Sequence, residues 1–165
     1  MSCPVVTELP DDCGINEPGV DTLYIIRKAG VVRPLPAVDV DTHTISTDLT
    51  LVDALTEGMI AIPFLEGSCK LDENDDDNSL TDIQLVMQVP KDSAAKRTLF
   101  TLMSNGCCRY DTILVDKNGH VKFTPELKFK KDYTTGDDST KNGYTITMTK
   151  KGRASFSYEG VIPTV

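Results

Sequence analysis

The chain has 165 residues, no tryptophan and a net charge of −8 at pH 7. This length suits one domain whose core needs neither disulfides nor a metal ion. The negative charge argues against a protein that binds nucleic acid by neutralising phosphates. Because the apolar runs are only a few residues long, far below the roughly 20 of a membrane-spanning helix, we expect a soluble protein made in the cytoplasm with no membrane partner.

The five cysteines do not predict a disulfide framework. Their number is odd, their spacing is irregular, and the first residues lack the apolar run of a secretory signal. Cys107 and Cys108 are adjacent, and adjacent thiols cannot readily ligate one zinc ion with the tetrahedral spread of C-x-x-C spacing. We therefore expect mostly reduced thiols and no metal site.

Acidic and basic residues are unevenly distributed along the chain. Residues 1–90 carry 4 Lys and Arg against 17 Asp and Glu, whereas residues 91–165 carry 13 against 8. If the two parts form different surfaces, one copy of the chain attracts the opposite end of the next copy. The alternative is that most of the acidity lies in solvated loops.

Residues 1–20 predict an extended N-terminal arm, or a disordered tail, ahead of a single domain over residues 21–165. The arm contains three prolines and two glycines without a sustained period. The segment DTLYIIRKAGVV then predicts a strand that turns at Ala29 and Gly30. The proline-broken, threonine-rich stretch that follows predicts a long loop with short β pieces.

Apolar residues between Met59 and Leu71 predict another strand. Pro63 and Gly67 interrupt it, so we expect it at a sheet edge or a bulge.

The acidic run DENDDDNS covers residues 72–79 and holds five carboxylates, whose mutual repulsion predicts an exposed loop. An EF-hand calcium loop needs glycine at its sixth position and glutamate at its twelfth. Counted from Asp72, those positions hold Asp77 and Ile83. A solvated loop is therefore the main interpretation, with adventitious binding of a divalent cation as the alternative.

Regular patterning begins at Leu80. Alternate apolar residues from Ile83 to Val89 predict a strand that ends at Pro90. Asp92 or Ser93 is then expected to cap a helix over about residues 92–105. The apolar stripe predicted on this helix consists of Ala95, Leu99, Leu102 and Met103.

The last third of the chain predicts several further strands. Asn118 and Gly119 form the pair favoured in a tight hairpin turn. The strands around this turn, one near Tyr144 and one near Phe156 bring the total to about seven to nine strands with one good helix. We therefore predict a mainly β fold: a β-sandwich or partly closed barrel with one packed α-helix and long loops.

Sequence motifs for enzymatic chemistry are missing. The two histidines are His43 and His120, and His120 follows a tight turn, where a solvated turn residue is a better explanation than a catalytic base. The sequence has no phosphate-cradling glycine loop, no G-x-S-x-G elbow and no basic stripe interleaved with aromatics. We predict no enzyme activity, no catalytic residue and no cofactor, with a hydrolase built on a carboxylate pair as a minor alternative.

The C-terminal half resembles a group of small virion proteins of tailed bacteriophages. The resemblance covers about residues 80–150, in the order strand, capped helix, D-x-N-G hairpin and a Y-x-T-G…N-G-Y-x-I ending. In this chain the ending consists of Tyr133, Thr135, Gly136, Asn142, Gly143, Tyr144 and Ile146, with Met148 where an aromatic residue is commoner. The N-terminal part carries no signature of the group.

The resemblance implies a structural protein of the virion tail, such as a tail tube or connector-ring subunit that self-assembles into rings around a DNA-conducting lumen. Its partners would be other copies of itself and neighbouring tail or connector proteins, with DNA only as cargo passing through the lumen. A ring in which strands continue from one copy to the next also removes exposed sheet edges.

The resemblance also gives the acidic run an expected place in such a ring. Carboxylates that line a lumen repel DNA phosphates and let the genome slide past. We therefore expect Asp72, Asp75, Asp76 and Asp77 near the lumen or at a ring-to-ring contact with the basic C-terminal half. The alternative from another functional class is a monomeric β-sandwich binding module that uses a divalent cation in the acidic run.

Overall fold

The computed structural model describes residues 19–105, 108–135 and 142–164. The predicted N-terminal arm therefore lies almost wholly outside the described residues, and Val20, at its end, already begins the first strand. The one helix has 11 residues, and the described residues contain no helix that is long and apolar enough to span a bilayer.

The fold of the described residues is mainly β, with nine strands, one α-helix and long loops, which confirms the predicted fold class. The elements are β1 (Val20–Arg27), β2 (Thr44–Ile45), β3 (Ile60–Ala61), β4 (Lys70–Asp75), β5 (Thr81–Pro90), α1 (Ala94–Ser104), β6 (Tyr110–Asp116), β7 (Val121–Thr134), β8 (Gly143–Gly152) and β9 (Phe156–Tyr158). The strand predicted between Met59 and Leu71 is thus shortened to β3 and the start of β4, because Pro63 and Gly67 interrupt it.

One sheet contains all nine strands, and its main order is β3-β1-β6-β7-β8-β5-β4, so that β3 and β4 form its two margins. β9 pairs with the start of β7 and with β2. The pairs along the main order are antiparallel, whereas β2 and β9 run parallel. The strand order is therefore that of an open sheet and not of a closed barrel.

The long strand β7 divides the sheet into two halves. Its first part pairs with β6 and β9, and its second part, from Lys128 onward, pairs with β8. Between these parts Glu126 has a φ of 64°, a backbone region that L-residues rarely adopt. We call β3, β1, β6, β9 and β2 with the start of β7 the first half, and the end of β7 with β8, β5 and β4 the second half.

A first apolar core fills the space between these halves. β5 and β8 direct alternate residues into it, as the sequence predicted, and those side chains are almost fully buried: Ile83, Leu85, Met87, Val89, Tyr144, Ile146 and Met148. The first half faces them with Leu23, Ile25 and Leu114. This period-2 pattern explains why both strands lie in this register.

A second apolar core covers the other face of the first half. Its buried members come from β1, β6, β7, β9 and from the long loop between β1 and β3: Ile26, Val31, Ile45, Leu49, Met59, Ile113, Phe123, Phe156 and Tyr158. The first half of the sheet is thus buried on both faces. The predicted loop with short β pieces is confirmed, since β2 is its only named strand.

Helix α1 closes one end of the first core. Ser93 is its N-cap, with the side-chain oxygen accepting a hydrogen bond from the Lys96 amide at 3.2 Å, as predicted. The buried residues of α1 are Phe100 and Met103. The Phe100 ring lies 5.7 Å from the Phe129 ring and 5.0 Å from the Tyr144 ring.

The predicted apolar stripe of α1 is therefore wrong in three of its four members. Leu99 is 47% exposed and Leu102 is 62% exposed, Ala95 is exposed as well, and Met103 alone is buried. The reason is the aromatic contact of Phe100, which turns the helix so that Phe100 and Met103 face the sheet.

Candidate functional site

The four acidic residues expected at a lumen or ring contact lie together in the β4–β5 hairpin. Asp72 and Asp75 belong to strand β4, opposite Gln84 and Thr81 of β5. The prediction of an exposed loop over residues 72–79 is therefore wrong for residues 72–75. The strand forms because local partners offset the charges of its carboxylates.

Three of these carboxylates have partners within the chain. Asp72 pairs with Lys70 at 3.0 Å, and Asp75 accepts a hydrogen bond from the Thr81 hydroxyl at 2.7 Å. Asp76 accepts hydrogen bonds from two backbone amides of the turn, those of residues 78 and 80, at 2.8 and 3.0 Å. Asp77 makes no hydrogen bond or ion pair with a described residue.

The Asp76 carboxylate is the most strongly held of the four. The Lys151 ammonium lies 2.8 Å from it, and a hydrogen bond from this ammonium is the main reason that the pKa of Asp76 falls to about 2. The acidic run of the N-terminal part therefore contacts a basic residue of the C-terminal part within one chain. The sequence had suggested that such an acidic–basic contact could form between two copies of the chain. Here Asp76 and Lys151 form it within one copy.

The arrangement does not form a metal centre. The described residues contain no group of three His, Cys, Asp or Glu side chains placed to hold a metal ion. A divalent cation in the acidic run was the alternative interpretation, and the oxygens of Asp72, Asp75 and Asp76 instead contact lysine, hydroxyl and backbone groups.

The contacts of the two histidines and the burial of the described cysteines are as follows in the fold. The His43 ring packs against Phe156 in a tilted arrangement with ring centroids 4.8 Å apart. His120 lies 3.3 Å from the Asp116 carboxylate in the β6–β7 hairpin turn. Burial raises the pKa of Cys69 to about 12, which makes this thiol a poor nucleophile, whereas Cys108 is exposed.

The opposite margin of the sheet carries an exposed apolar surface that the sequence did not predict. Ile60 of β3 is 57% exposed, and α1 exposes Leu99 and, three residues further along the helix, Leu102. Ile60 and Leu99 line one groove of about 550 Å³, whose floor includes Phe100 and Tyr110. We call Ile60, Leu99 and Leu102 the α1–β3 surface.

The two margins of the sheet thus differ in chemistry. β4 is six residues long and charged, and charged side chains on an edge strand discourage edge-to-edge pairing. β3 is only two residues long, and its Ile60 belongs to the α1–β3 surface. The sequence did contain a signal for the exposed leucines of this surface. Helix α1 carries apolar residues on two neighbouring stripes, and only one stripe can face the core of its own chain.

Comparison with protein-family models, curated proteins and solved structures finds no match to this chain.

Proposed function

We propose that this chain is a self-assembling structural subunit of a bacteriophage tail, a tail tube or connector-ring protein. The observation that carries the self-assembly is the α1–β3 surface beside a short sheet margin. The placement in a virion tail rests on the sequence pattern of residues 80–150, which resembles small virion proteins of tailed phages.

The apolar groove favours another copy of the chain as its occupant. Exposed leucines next to a groove mark interaction surfaces when they are contiguous, whereas single exposed apolar residues are ordinary. Here Ile60 and Leu99 share one groove, and Leu102 is exposed three residues after Leu99 on the same helix. A neighbouring copy that packs there covers both the leucines and the short margin formed by β3.

The proposed ring requires a heterologous contact, in which a different face of the neighbouring copy covers the α1–β3 surface. The two margins of the sheet are not equivalent, since the β3 margin is apolar and the β4 margin is charged. Head-to-tail contacts of this kind build rings when their rotation closes and filaments when it does not. In the proposed ring the tip of the β4–β5 hairpin, with Asp77 exposed, faces the lumen or the next ring, DNA passes through only as cargo, and other tail or connector proteins bind the ring ends.

Paired substitutions on α1 test this proposal. We expect wild-type protein to form rings or short tubes as its concentration rises, visible by light scattering and negative-stain microscopy. The double variant Leu99→Asp, Leu102→Asp is expected to remain monomeric, because one carboxylate in the groove and a second on the exposed face of α1 prevent burial of this surface against a second copy.

The control is Val40→Asp, since Val40 is 91% exposed in a loop away from this groove. It should assemble like wild type. Circular dichroism at a concentration too low for assembly should show closely similar melting temperatures for all three proteins, since assembly itself would raise the melting temperature of those that associate. Wild-type protein that stays monomeric at high concentration, or a double variant that assembles normally, would overturn the proposal; a constant monomer mass would instead favour the monomeric binding module.

A further inference from the structure

A charged cavity opens where β7 leaves β8, and the proposed assembly does not use it. β7 pairs with β8 from Lys128 onward but with β9 at Lys122 and Phe123. The divergence leaves a space of about 750 Å³ at the end of the first core. Its lining brings together five cationic side chains: Lys28, Arg109, Lys128, Lys150 and Lys151.

Only two of these cations have carboxylate partners. Lys28 lies 2.6 Å from the Glu126 carboxylate. Lys151 pairs with Asp76 at 2.8 Å and lies 3.9 Å from Asp82. These contacts occupy both carboxylates that line the cavity, Glu126 and Asp82.

The other three cations, Arg109, Lys128 and Lys150, make no ion pair with a described residue. They come from three different places in the fold: the residue before β6, the middle of β7 and the end of β8. Three cations that line one concave space without an ion-pair partner create a positive potential there, which favours an anion bound between them.

The nearest buried carboxylate does not supply that anion. Asp111 is fully buried and accepts hydrogen bonds from the Arg33 guanidinium at 2.7 and 2.9 Å and from the Glu126 amide at 2.9 Å. These bonds hold the Asp111 carboxylate on the side of Arg33, although burial raises its pKa. Lys150 is half-buried, and this burial lowers its pKa, opposed by the charges of Glu126 and Asp111, neither of which forms an ion pair with it.

We propose that this cavity binds a phosphate group of a small phosphorylated ligand. A phosphate carries about −1.5 to −2 charges and three acceptor oxygens, so it can bind three cations that approach from different directions. A single carboxylate would offset only one of the three charges. The volume of about 750 Å³ exceeds that of phosphate alone, and it lies in the range of pockets that enclose a small organic ligand.

Calorimetric titration of the full chain with inorganic phosphate at constant ionic strength tests the site. We expect saturable binding of one phosphate per chain. Arg109→Gln and Lys128→Gln are each expected to weaken it about tenfold or more, because each removes a charge-assisted hydrogen bond. Both side chains are at least partly exposed, so these variants should fold normally.

The matched control is Lys130→Gln. Lys130 lies on β7 two residues from Lys128, pairs with Asp132 at 3.5 Å and does not line the cavity. Its phosphate affinity should stay within about twofold of wild type. The assignment would be overturned if Lys130→Gln lost as much phosphate affinity as the cavity variants, or if the titration did not saturate. It would also be overturned if citrate bound more tightly than phosphate and lost affinity in the same variants.

Discussion

The two apolar cores of this protein are built in different ways. The first core lies between two halves of a sheet, and regular strands form both of its sides. The second core has a regular sheet on one side only. Its other side is the long loop between β1 and β3, in which β2 contributes just two paired residues.

Individual polar contacts hold the cover of the second core in place. The Tyr158 hydroxyl accepts a hydrogen bond from the Leu49 amide at 3.1 Å and donates one to the Val161 carbonyl at 2.8 Å. The Asp48 carboxylate accepts a bond from the Val161 amide at 2.7 Å. Because few backbone ladders cross this region, we expect it to open locally while the first core stays closed.

The strongest test of this difference is Phe129→Ala in the first core. Phe129 is 2% exposed and contacts the rings of Phe100 and Tyr110. Removing a buried phenyl ring between two regular layers leaves a cavity that strands cannot easily fill, so we expect a loss of about 3–5 kcal/mol in the free energy of unfolding. Urea denaturation measures this loss.

The control for this variant is Lys130→Ala on the same strand. Lys130 is exposed, so its stability should change by less than about 0.5 kcal/mol. A loss below about 2 kcal/mol for Phe129→Ala would mean that the first core collapses around the missing ring.

The corresponding change in the second core is Ile45→Ala. Ile45 is fully buried in β2, but its cover is a loop that can move toward the cavity. We therefore expect about 2 kcal/mol, the lower end of the range for such truncations. Hydrogen exchange should become faster at the β2–β9 pair and remain unchanged in β5. A loss equal to that of Phe129→Ala, with faster exchange throughout the sheet, would show that the two cores unfold together.

The same difference explains which parts of the fold the sequence predicted. β5, β8 and the cap of α1 follow from patterns within a dozen neighbouring residues, and all three are confirmed. The rotation of α1 was predicted wrongly because it depends on Phe129 and Tyr144, which lie far along the chain. The sequence analysis also missed that residues 72–75 form a strand, because this depends on their pairing with β5.

The candidate sites were also only partly predictable, because their contacts join residues that lie far apart in the sequence. The four carboxylates are near one another because they are adjacent in sequence, but their partners Thr81 and Lys151 come from other strands. The cationic cavity gave no sequence signal, since Lys28, Arg109 and Lys150 are separated by scores of residues. The divergence of β7 from β8 brings them together.

A smaller loss of stability is expected when the N-cap of α1, the helix that closes the first core, is removed. Ser93→Ala removes the side-chain oxygen that accepts the Lys96 amide, and loss of such a cap reduces stability by about 1 kcal/mol. Exchange should become faster in the first turn of α1, and the β2–β9 pair of the second core should be unaffected. No change in unfolding free energy would mean that the contacts of Phe100 alone fix the helix end.

The smallest expected effect concerns acid sensitivity at the outer margin of the second half of the sheet. Because the pKa of Asp76 is lowered from its ordinary value near 4 to about 2 in the folded chain, mainly by Lys151, its ionised form stabilises the fold above about pH 4. This contribution is lost as pH falls from about 4 to 2, because the unfolded chain takes up the proton over this interval while the folded chain keeps Asp76 ionised until about pH 2. Asp76→Asn cannot ionise, so it should lose less stability than wild type over this interval in urea denaturation. Parallel losses in the two proteins would show that Lys151 does not stabilise the β4–β5 hairpin through Asp76.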